Sequence, residues 1–176
     1  AQAAGARGIQ VGSIFAWCAE SGMRDDLKRA VIARHARGEL HVRTDFRASP
    51  TGYPFKLALL PGTAADAAVA DRRRRVCDLG YLREAFTRDD GTIGQRCPGE
   101  PEHAYLAKGG DPRRMAGTLC LCNGLLATVG LGQVRRTGPE APIVTAGEDL
   151  SFLDRIPAAR RDLAYTAADA IAYLRS

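Results

Sequence analysis

The chain has 176 residues, 45% of them hydrophobic, and a formal net charge of +5, which suits one globular domain rather than a disordered chain. No apolar stretch reaches the length of a membrane helix, and the first residues, AQAAGARG, lack the charged-then-apolar order of a signal peptide. We therefore expect a cytoplasmic protein with no membrane partner.

The densest basic cluster is the run Arg72–Arg75. Nucleic-acid interfaces combine a basic face with aromatic side chains for stacking, but only 6% of residues here are aromatic and none interleaves with this run. We expect no nucleic-acid partner and interpret the run as a solvated helix end.

The first predicted element is a strand over Ile9–Phe15, because this short run is apolar and rich in β-branched residues. Such a pattern is typical of a strand buried on both faces. A helix follows from about Ser21: Asp25 and Asp26 favour its first turn, and Gly38 stops it.

The remaining chain predicts short helices separated by loops. We expect a structured loop over 39–63, a helix over 64–76, an irregular segment over 89–110, a buried helix over 115–129, a loop over 135–147 and an amphipathic helix over 162–174.

A possible phosphate-binding signal lies in Gly8-Ile9-Gln10-Val11-Gly12-Ser13. Glycine after a strand lets the backbone approach an anion closely, and exposed N–H groups and a hydroxyl then donate to it. The same residues also suit an ordinary turn, so spacing alone leaves both interpretations open.

The segment GARGIQVGSIF resembles the closing strand of flavin-dependent nitronate monooxygenase (2-nitropropane dioxygenase-like) barrels, in which a G-A-x-G-V-Q-x-G-T-x-F pattern binds the phosphate of FMN. The resemblance implies that Gln10, Val11, Gly12 and Ser13 contact FMN, mostly through backbone groups. Ser13 replaces the family's usual threonine and keeps the hydroxyl. Glu20-Ser21-Gly22 is also similar to the family segment that follows this strand.

The fold that this resemblance implies is α/β, the C-terminal fragment of a (β/α)8 TIM barrel. Residues 1–38 would form the last strand-helix unit and residues 39–176 a mostly helical, loop-rich extension. Because a complete barrel takes roughly 250 residues, we expect the N-terminal barrel portion and the family's catalytic histidine to precede Ala1. We assign no catalytic residue within this chain.

The three histidines, His35, His41 and His103, do not match the family's base, and we interpret them as surface or structural residues. Thr51-Gly52-Tyr53-Pro54-Phe55-Lys56 stands where family members have a T-G-R-P-A-R-like segment. Tyr53 and Phe55 depart from that pattern, so it does not identify the substrate.

By resemblance, the whole enzyme oxidises a small-molecule substrate, an alkyl nitronate or nitroalkane, with molecular oxygen, and this chain is inactive alone. Two alternatives remain. The first is an FMN-dependent enoyl reductase of fatty-acid or polyketide synthesis, whose barrel shares the phosphate-binding strand. The second, from another class, is a cysteine-rich, metal-stabilised binding module.

The module would use Cys77, Cys97, Cys120 and Cys122, since four thiolates suffice for a tetrahedral zinc site. However, Cys120-Leu121-Cys122 is not a C-x-x-C knuckle, and on a helix its two side chains diverge by roughly 200°. We therefore assign no metal ligand and interpret the four cysteines as small buried thiols, with metal binding and redox chemistry as alternatives.

Overall fold

A computed structural model of the chain describes residues 2–176; Ala1, where the first predicted domain begins, lies outside the described residues. In chain order the elements are α1 (Ser13–Ala16), α2 (Asp25–Ala36), β1 (Val42–Asp45), β2 (Phe55–Ala58), α3 (Ala67–Arg72), β3 (Glu84–Thr87), β4 (Ile93–Arg96), α4 (Glu102–Leu106), α5 (Leu121–Thr128), β5 (Val134–Arg135), β6 (Gly138–Pro139), α6 (Phe152–Arg155), α7 (Pro157–Asp162) and α8 (Ala167–Arg175). Two 3-10 turns span Gln2–Ala4 and Pro112–Met115.

The chain divides into two compact units. The helical unit consists of the chain up to Leu40 together with Gly147–Ser176, and the hairpin unit consists of His41–Ala146. Residues 147–176 thus group with the beginning of the chain, and the described strands all lie in the hairpin unit.

Within the helical unit, α2 confirms the helix predicted after Ser21. Asp25 and Asp26 lie in its first turn, where carboxylates interact favourably with free N–H groups, and Gly38 follows its end at φ +69°. Leu27, Val31 and Ile32 are buried, and α2 packs against α6 and α7.

The two ends of the helical unit are joined by hydrogen bonds around Tyr165. Its hydroxyl donates to the Ile14 carbonyl at 2.6 Å, and its own carbonyl accepts from the Ala19 N–H at 2.7 Å. α8 begins with a capping box, in which the Thr166 hydroxyl and the Asp169 carboxylate each bond the other residue's backbone N–H.

Three separate two-stranded antiparallel sheets form the framework of the hairpin unit. β1 pairs with β2 in the register Val42 to Ala58, β3 pairs with β4 in the register Glu84 to Arg96, and β5 pairs with β6 through a two-residue turn. A single hairpin is marginal by itself, so burial of apolar side chains must supply most of the stability. That core contains Ala48, Leu57, Ala64, Leu121 and Ile143.

The segment that carries Ile143 runs between β2 and α5 and forms hydrogen bonds with both. The Ala58 N–H donates to the Val144 carbonyl, and the Ile143 N–H donates to the Gly124 carbonyl at 3.0 Å. A Cβ at Gly124 would overlap the Ile143 side chain, so glycine lets the two segments approach this closely.

The predicted TIM-barrel fragment is wrong for the part of the chain that the structure describes: its strands form three antiparallel hairpins and no parallel sheet or barrel. The predicted strand Ile9–Phe15 is also wrong. Residues 9–12 are irregular and exposed, and residues 13–16 form α1. The reason is packing: Ile14 is buried against the helical unit, where its carbonyl meets Tyr165, whereas a short apolar run alone is compatible with strand or helix.

Other boundaries also differ from the prediction. The expected loop over 39–63 contains the β1–β2 hairpin, and the expected irregular segment over 89–110 contains β4 and α4. The helix predicted over 115–129 begins only at Leu121, after the 3-10 turn. The extension is therefore less helical than expected, because pairing between segments distant in sequence overrides local pattern. Among residues 2–176, no helix has both the length and the apolar character needed to cross a membrane.

Candidate functional site

The segment expected to bind phosphate, residues 9–12, is open to solvent and leads directly into α1. The side chains of Ile9 and Val11 are 58% and 37% exposed. Among residues 2–176, no backbone hydrogen bond starts from an N–H group of this segment, and a Cβ built at Gly12 meets no atom within 4 Å. The backbone here is therefore accessible to a ligand.

Ser13 adds a hydroxyl at the end of this segment. Its Oγ accepts a hydrogen bond from the Gly147 N–H at 2.7 Å, which fixes the position of the oxygen. Because the oxygen accepts in that bond, the hydroxyl hydrogen can still donate. Gln10, Val11, Gly12 and Ser13 thus form one continuous, solvent-facing stretch, and their contact with FMN stays a prediction.

A second candidate site lies in the hairpin unit, where β3 and β4 bring two cysteines together. Because the strands are antiparallel, the chain enters β3 and leaves β4 at the same end, with Cys97 directly after Arg96 and Cys77 on the segment before Glu84. The two side chains lie close enough for each to affect the pKa of the other. Cys77 is half-buried, whereas Cys97 is buried.

Arg83 lies beside Cys77 and favours the thiolate form of this residue. Its Nη2 donates to the Cys77 carbonyl at 2.8 Å, and its guanidinium also interacts with the Cys77 sulfur. The hydrogen bond from Cys97, together with Arg83, lowers the pKa of Cys77 to about 6, against the opposing effects of burial and Glu100. Interaction with the Cys77 thiolate and burial raise the pKa of Cys97.

The chain holds Arg83 in place through Gly80. This residue has φ +71°, and a Cβ there would lie 2.6 Å from the Arg83 Cζ, so the guanidinium packs directly over the glycine. Glycine is the residue that adopts this conformation without strain. In the segment CDLGYLR the chain therefore turns back at Gly80, which brings Arg83 next to Cys77.

Cys120 and Cys122 lie near the pair but differ from it in environment. Cys120 precedes α5 and its Sγ accepts from the Asn123 Nδ2 at 3.3 Å, while burial raises the pKa of Cys122. Among residues 2–176, no group of three or more His, Cys, Asp or Glu side chains has the arrangement that holds a metal ion.

A partly buried ion network, in which Glu140 is the buried member, borders these thiols. Glu140 pairs with Arg73 and, at 2.7 Å, with Arg135, which also bonds Asp78 at 2.6 Å. Asn123 donates to Asp78 at 2.8 Å, so the network connects to Cys120. Each of these charges has an opposite partner within the hairpin unit, and loss of the arginine partners would leave the buried Glu140 carboxylate uncompensated.

The arginine run is not simply the solvated helix end that we expected. Arg72 ends α3 and Arg74 is exposed, but Arg73 pairs with Glu140. Arg75 donates to the carbonyls of Pro98 and Met115 at 2.8 and 2.7 Å. Two of the four arginine side chains of this run thus bind loops of the hairpin unit.

The other predicted residues lie apart from both sites within their units. His41 and His103 are exposed, and His35 is half-buried with its Nε2 3.0 Å from Asp154 Oδ2, which agrees with surface or structural roles. Thr51 lies in the β1–β2 loop, Tyr53 is 68% exposed, and Phe55 begins β2.

From the sequence we identified the four cysteines, but we did not predict that the side chains of Cys97 and Arg83 both interact with Cys77. The available signals were the turn-forming Gly80 between Cys77 and Arg83, and the turn at Asp90-Gly91, which is typical of a hairpin ending just before Cys97.

Comparison with known proteins gives no match to this chain among family models, curated proteins or solved structures.

Proposed function

We propose that this chain is part of an FMN-dependent oxidoreductase that oxidises alkyl nitronates with molecular oxygen, and that Gln10, Val11, Gly12 and Ser13 bind the flavin phosphate. The observation that carries the proposal is the exposed segment 9–12, whose N–H groups make no backbone hydrogen bond among residues 2–176, in the stretch that resembles the family's phosphate motif. The proposal does not depend on a barrel fold.

The chemistry of this segment suits a phosphate. A phosphate dianion needs several donors at short range, and glycine at position 12 leaves room for its oxygens to reach the backbone. The Ser13 hydroxyl adds one donor that the Gly147 N–H holds in position. A hydrogen bond to a charged acceptor contributes about 1.5–3 kcal/mol, so a few such bonds suffice for selective binding.

Bound FMN supplies the redox chemistry of such an enzyme. This chain would hold the phosphate end of the cofactor, and residues 10–13 would thereby fix the distance between themselves and the flavin ring. The five cysteines are free thiols, which suits the reducing cytoplasm that we propose as the location.

Amide chemical shifts of the purified chain test the phosphate site even if binding is weak. We expect FMN to shift the N–H signals of residues 10–13, and riboflavin, which lacks the phosphate, to leave them unchanged. Equal shifts with both ligands, or no shift in this segment with FMN, contradict the assignment.

Two variants and a control refine the test. Gly12→Val should abolish the FMN-specific shifts, because a branched side chain blocks the approach of phosphate to the backbone, whereas Ser13→Ala removes one donor and should weaken binding less. Gly22→Val is the matched control, because Gly22 also faces open space and lies outside the segment. It should bind FMN like the wild type.

The reaction itself is tested on the enzyme that contains this chain. Oxygen uptake that depends on an alkyl nitronate and on FMN supports the proposal. Consumption of a nicotinamide cofactor with an enoyl thioester, without nitronate-dependent oxygen uptake, would instead identify the enoyl reductase alternative.

A further inference from the structure

The end of α3 and the β5–β6 turn form a basic cleft in the hairpin unit. Of the described residues that line this cleft, Glu140 alone is acidic. The cleft has a volume of about 190 Å³, below the roughly 300–1,000 Å³ of pockets that bury a drug-sized ligand, so it suits one charged group rather than a whole cofactor. Its lining includes four arginines and two residues of the hairpin: Arg72, Arg73, Arg74, Arg135, Thr137 and Gly138.

One wall of the cleft is held together by Glu140. Arg73 Nη2 and Arg135 Nη1 donate to the same oxygen, Glu140 Oε2, at 3.0 and 2.7 Å. The Glu140 side chain is only 3% exposed. Because two guanidiniums compensate this buried carboxylate, it opposes an anion in the cleft only weakly.

The other two arginines of the cleft have no carboxylate partner among residues 2–176. Arg72 uses its Nε, which donates to the Ala68 carbonyl at 2.7 Å, and its two Nη groups make no hydrogen bond within this range. Arg74 is bonded only through its carbonyl, which accepts from Arg73 Nη1. Both side chains are exposed, so two guanidiniums are available to a ligand.

The β5–β6 turn supplies neutral donors beside these arginines. Arg136 and Thr137 form the turn, and among residues 2–176 neither N–H donates to a backbone carbonyl. The Thr137 hydroxyl also makes no hydrogen bond with the described residues. Gly138 has φ +111°, and a Cβ there would meet no atom within 4 Å, so the space beside the threonine is open.

We propose that this cleft binds a phosphate dianion, either free or as the end of a small phosphate monoester, through Arg72, Arg74 and Thr137. Two free guanidiniums match the charge of a phosphate dianion, whereas a carboxylate or a sulfate ester carries one negative charge. A guanidinium binds phosphate oxygens in pairs, and the hydroxyl and N–H of Thr137 suit the remaining oxygen. The inference goes beyond the proposed flavin site, because residues 10–13 belong to the helical unit.

Methyl phosphate, titrated into the full chain at constant ionic strength, tests the site by NMR. We expect saturable shifts of the Thr137 amide signal and of the Nε–H signals of Arg72 and Arg74. Methyl sulfate, which has a similar shape and one negative charge, should bind about tenfold more weakly or worse. Equal affinity for the two esters, or shifts that increase linearly without saturation, would overturn the proposal.

Inorganic phosphate, titrated in the same way, separates the two sources of the dianion. Tighter binding of inorganic phosphate than of methyl phosphate assigns the cleft to free phosphate. Equal or tighter binding of methyl phosphate assigns it to a monoester. Either result supports a phosphate site, whereas the absence of saturable binding by both ions contradicts it.

Two substitutions test the residues that carry the proposal. Arg74→Gln removes a guanidinium that makes no bond with the described residues, so the fold should be kept. We expect it to weaken methyl phosphate binding about tenfold or more, as for the loss of a hydrogen bond to a charged group. Thr137→Val keeps the shape of the side chain, removes its hydroxyl and should also weaken binding.

Arg136→Gln is the matched control, because Arg136 is an exposed arginine of the same turn that does not line the cleft. Its affinity for methyl phosphate should stay within about twofold of the wild type, since salt largely screens an exposed charge that makes no contact. Equal losses in Arg74→Gln and Arg136→Gln would mean that general positive charge, rather than this cleft, attracts the anion. Circular dichroism establishes that each variant is folded.

Discussion

Arg83 has an effect on Cys77 that a single substitution can measure. Its guanidinium stabilises the thiolate by hydrogen bonding and by charge, while Glu100 opposes it. We expect Arg83→Met to raise the pKa of Cys77, because the hydrogen bond from Cys97 then acts alone against burial. The midpoint of the pH-dependent alkylation rate should move upward from about 6.

A matched arginine controls for the general loss of positive charge. Arg88 lies in the turn of the same hairpin and bonds Thr92 at 3.1 Å. Arg88→Met should leave the Cys77 midpoint unchanged. If both variants shift the midpoint equally, Arg83 has no specific role.

Cys77 also makes stability depend on pH. Its pKa in the folded protein, about 6, lies below the ordinary 9.0, so unfolding takes up a proton between these pH values. The contribution of this thiolate is therefore present above pH 9 and lost as pH falls through 6. Cys97, whose pKa is raised, changes the pH dependence of stability only above pH 9, and Arg83, whose pKa is also raised, stays charged across the window.

We expect the free energy of unfolding, measured by urea titration in reductant, to rise from pH 6 to pH 8.5 more in the wild type than in Cys77→Ser. Cys18→Ser, which alters a buried thiol of the helical unit, should keep the wild-type pH dependence. The same slope in all three proteins would show that Cys77 is not ionised near neutral pH.

The helices differ in how their first turns are satisfied, and this predicts unequal effects of similar substitutions. α8 has a complete capping box, whereas Ser151, which precedes α6, makes no side-chain capping bond. Thr166→Ala should lower the free energy of unfolding by about 0.5–2 kcal/mol.

Ser151→Ala serves as the control, since it removes a hydroxyl at a helix start without removing a capping bond. We expect its effect to stay within about 0.5 kcal/mol, as for most surface substitutions. Urea denaturation of both variants measures the difference, and equal losses would mean that the Thr166–Asp169 box does not stabilise α8.

The core of the hairpin unit lies entirely between His41 and Ala146, and so do the three hairpins and the thiol pair. We therefore expect residues 41–146, expressed alone, to fold cooperatively and to keep the Cys77 alkylation midpoint near pH 6. Circular dichroism during thermal unfolding measures the cooperativity. A non-cooperative transition, with all four remaining cysteines alkylated at one rate, would show that this unit needs the rest of the chain.

Local sequence determined several elements of this protein directly. Asp25, Asp26 and Gly38 marked α2, and the apolar spacing around Ala170 marked α8, because helix ends and amphipathic faces depend on residues within a few positions of each other. The same local rules predicted a buried strand over residues 9–15, which is wrong.

Only the tertiary structure decided which distant segments meet. Among the described residues, 9–15 form no strand. The Ile14 carbonyl instead accepts a hydrogen bond from the hydroxyl of Tyr165, 151 positions away. Cys77 and Cys97 came together because Glu84 pairs with Arg96 across a hairpin, and Arg83 reached Cys77 because Gly80 turns the chain back. Such contacts depend on strand register and side-chain packing over long sequence separations, which a local pattern does not specify.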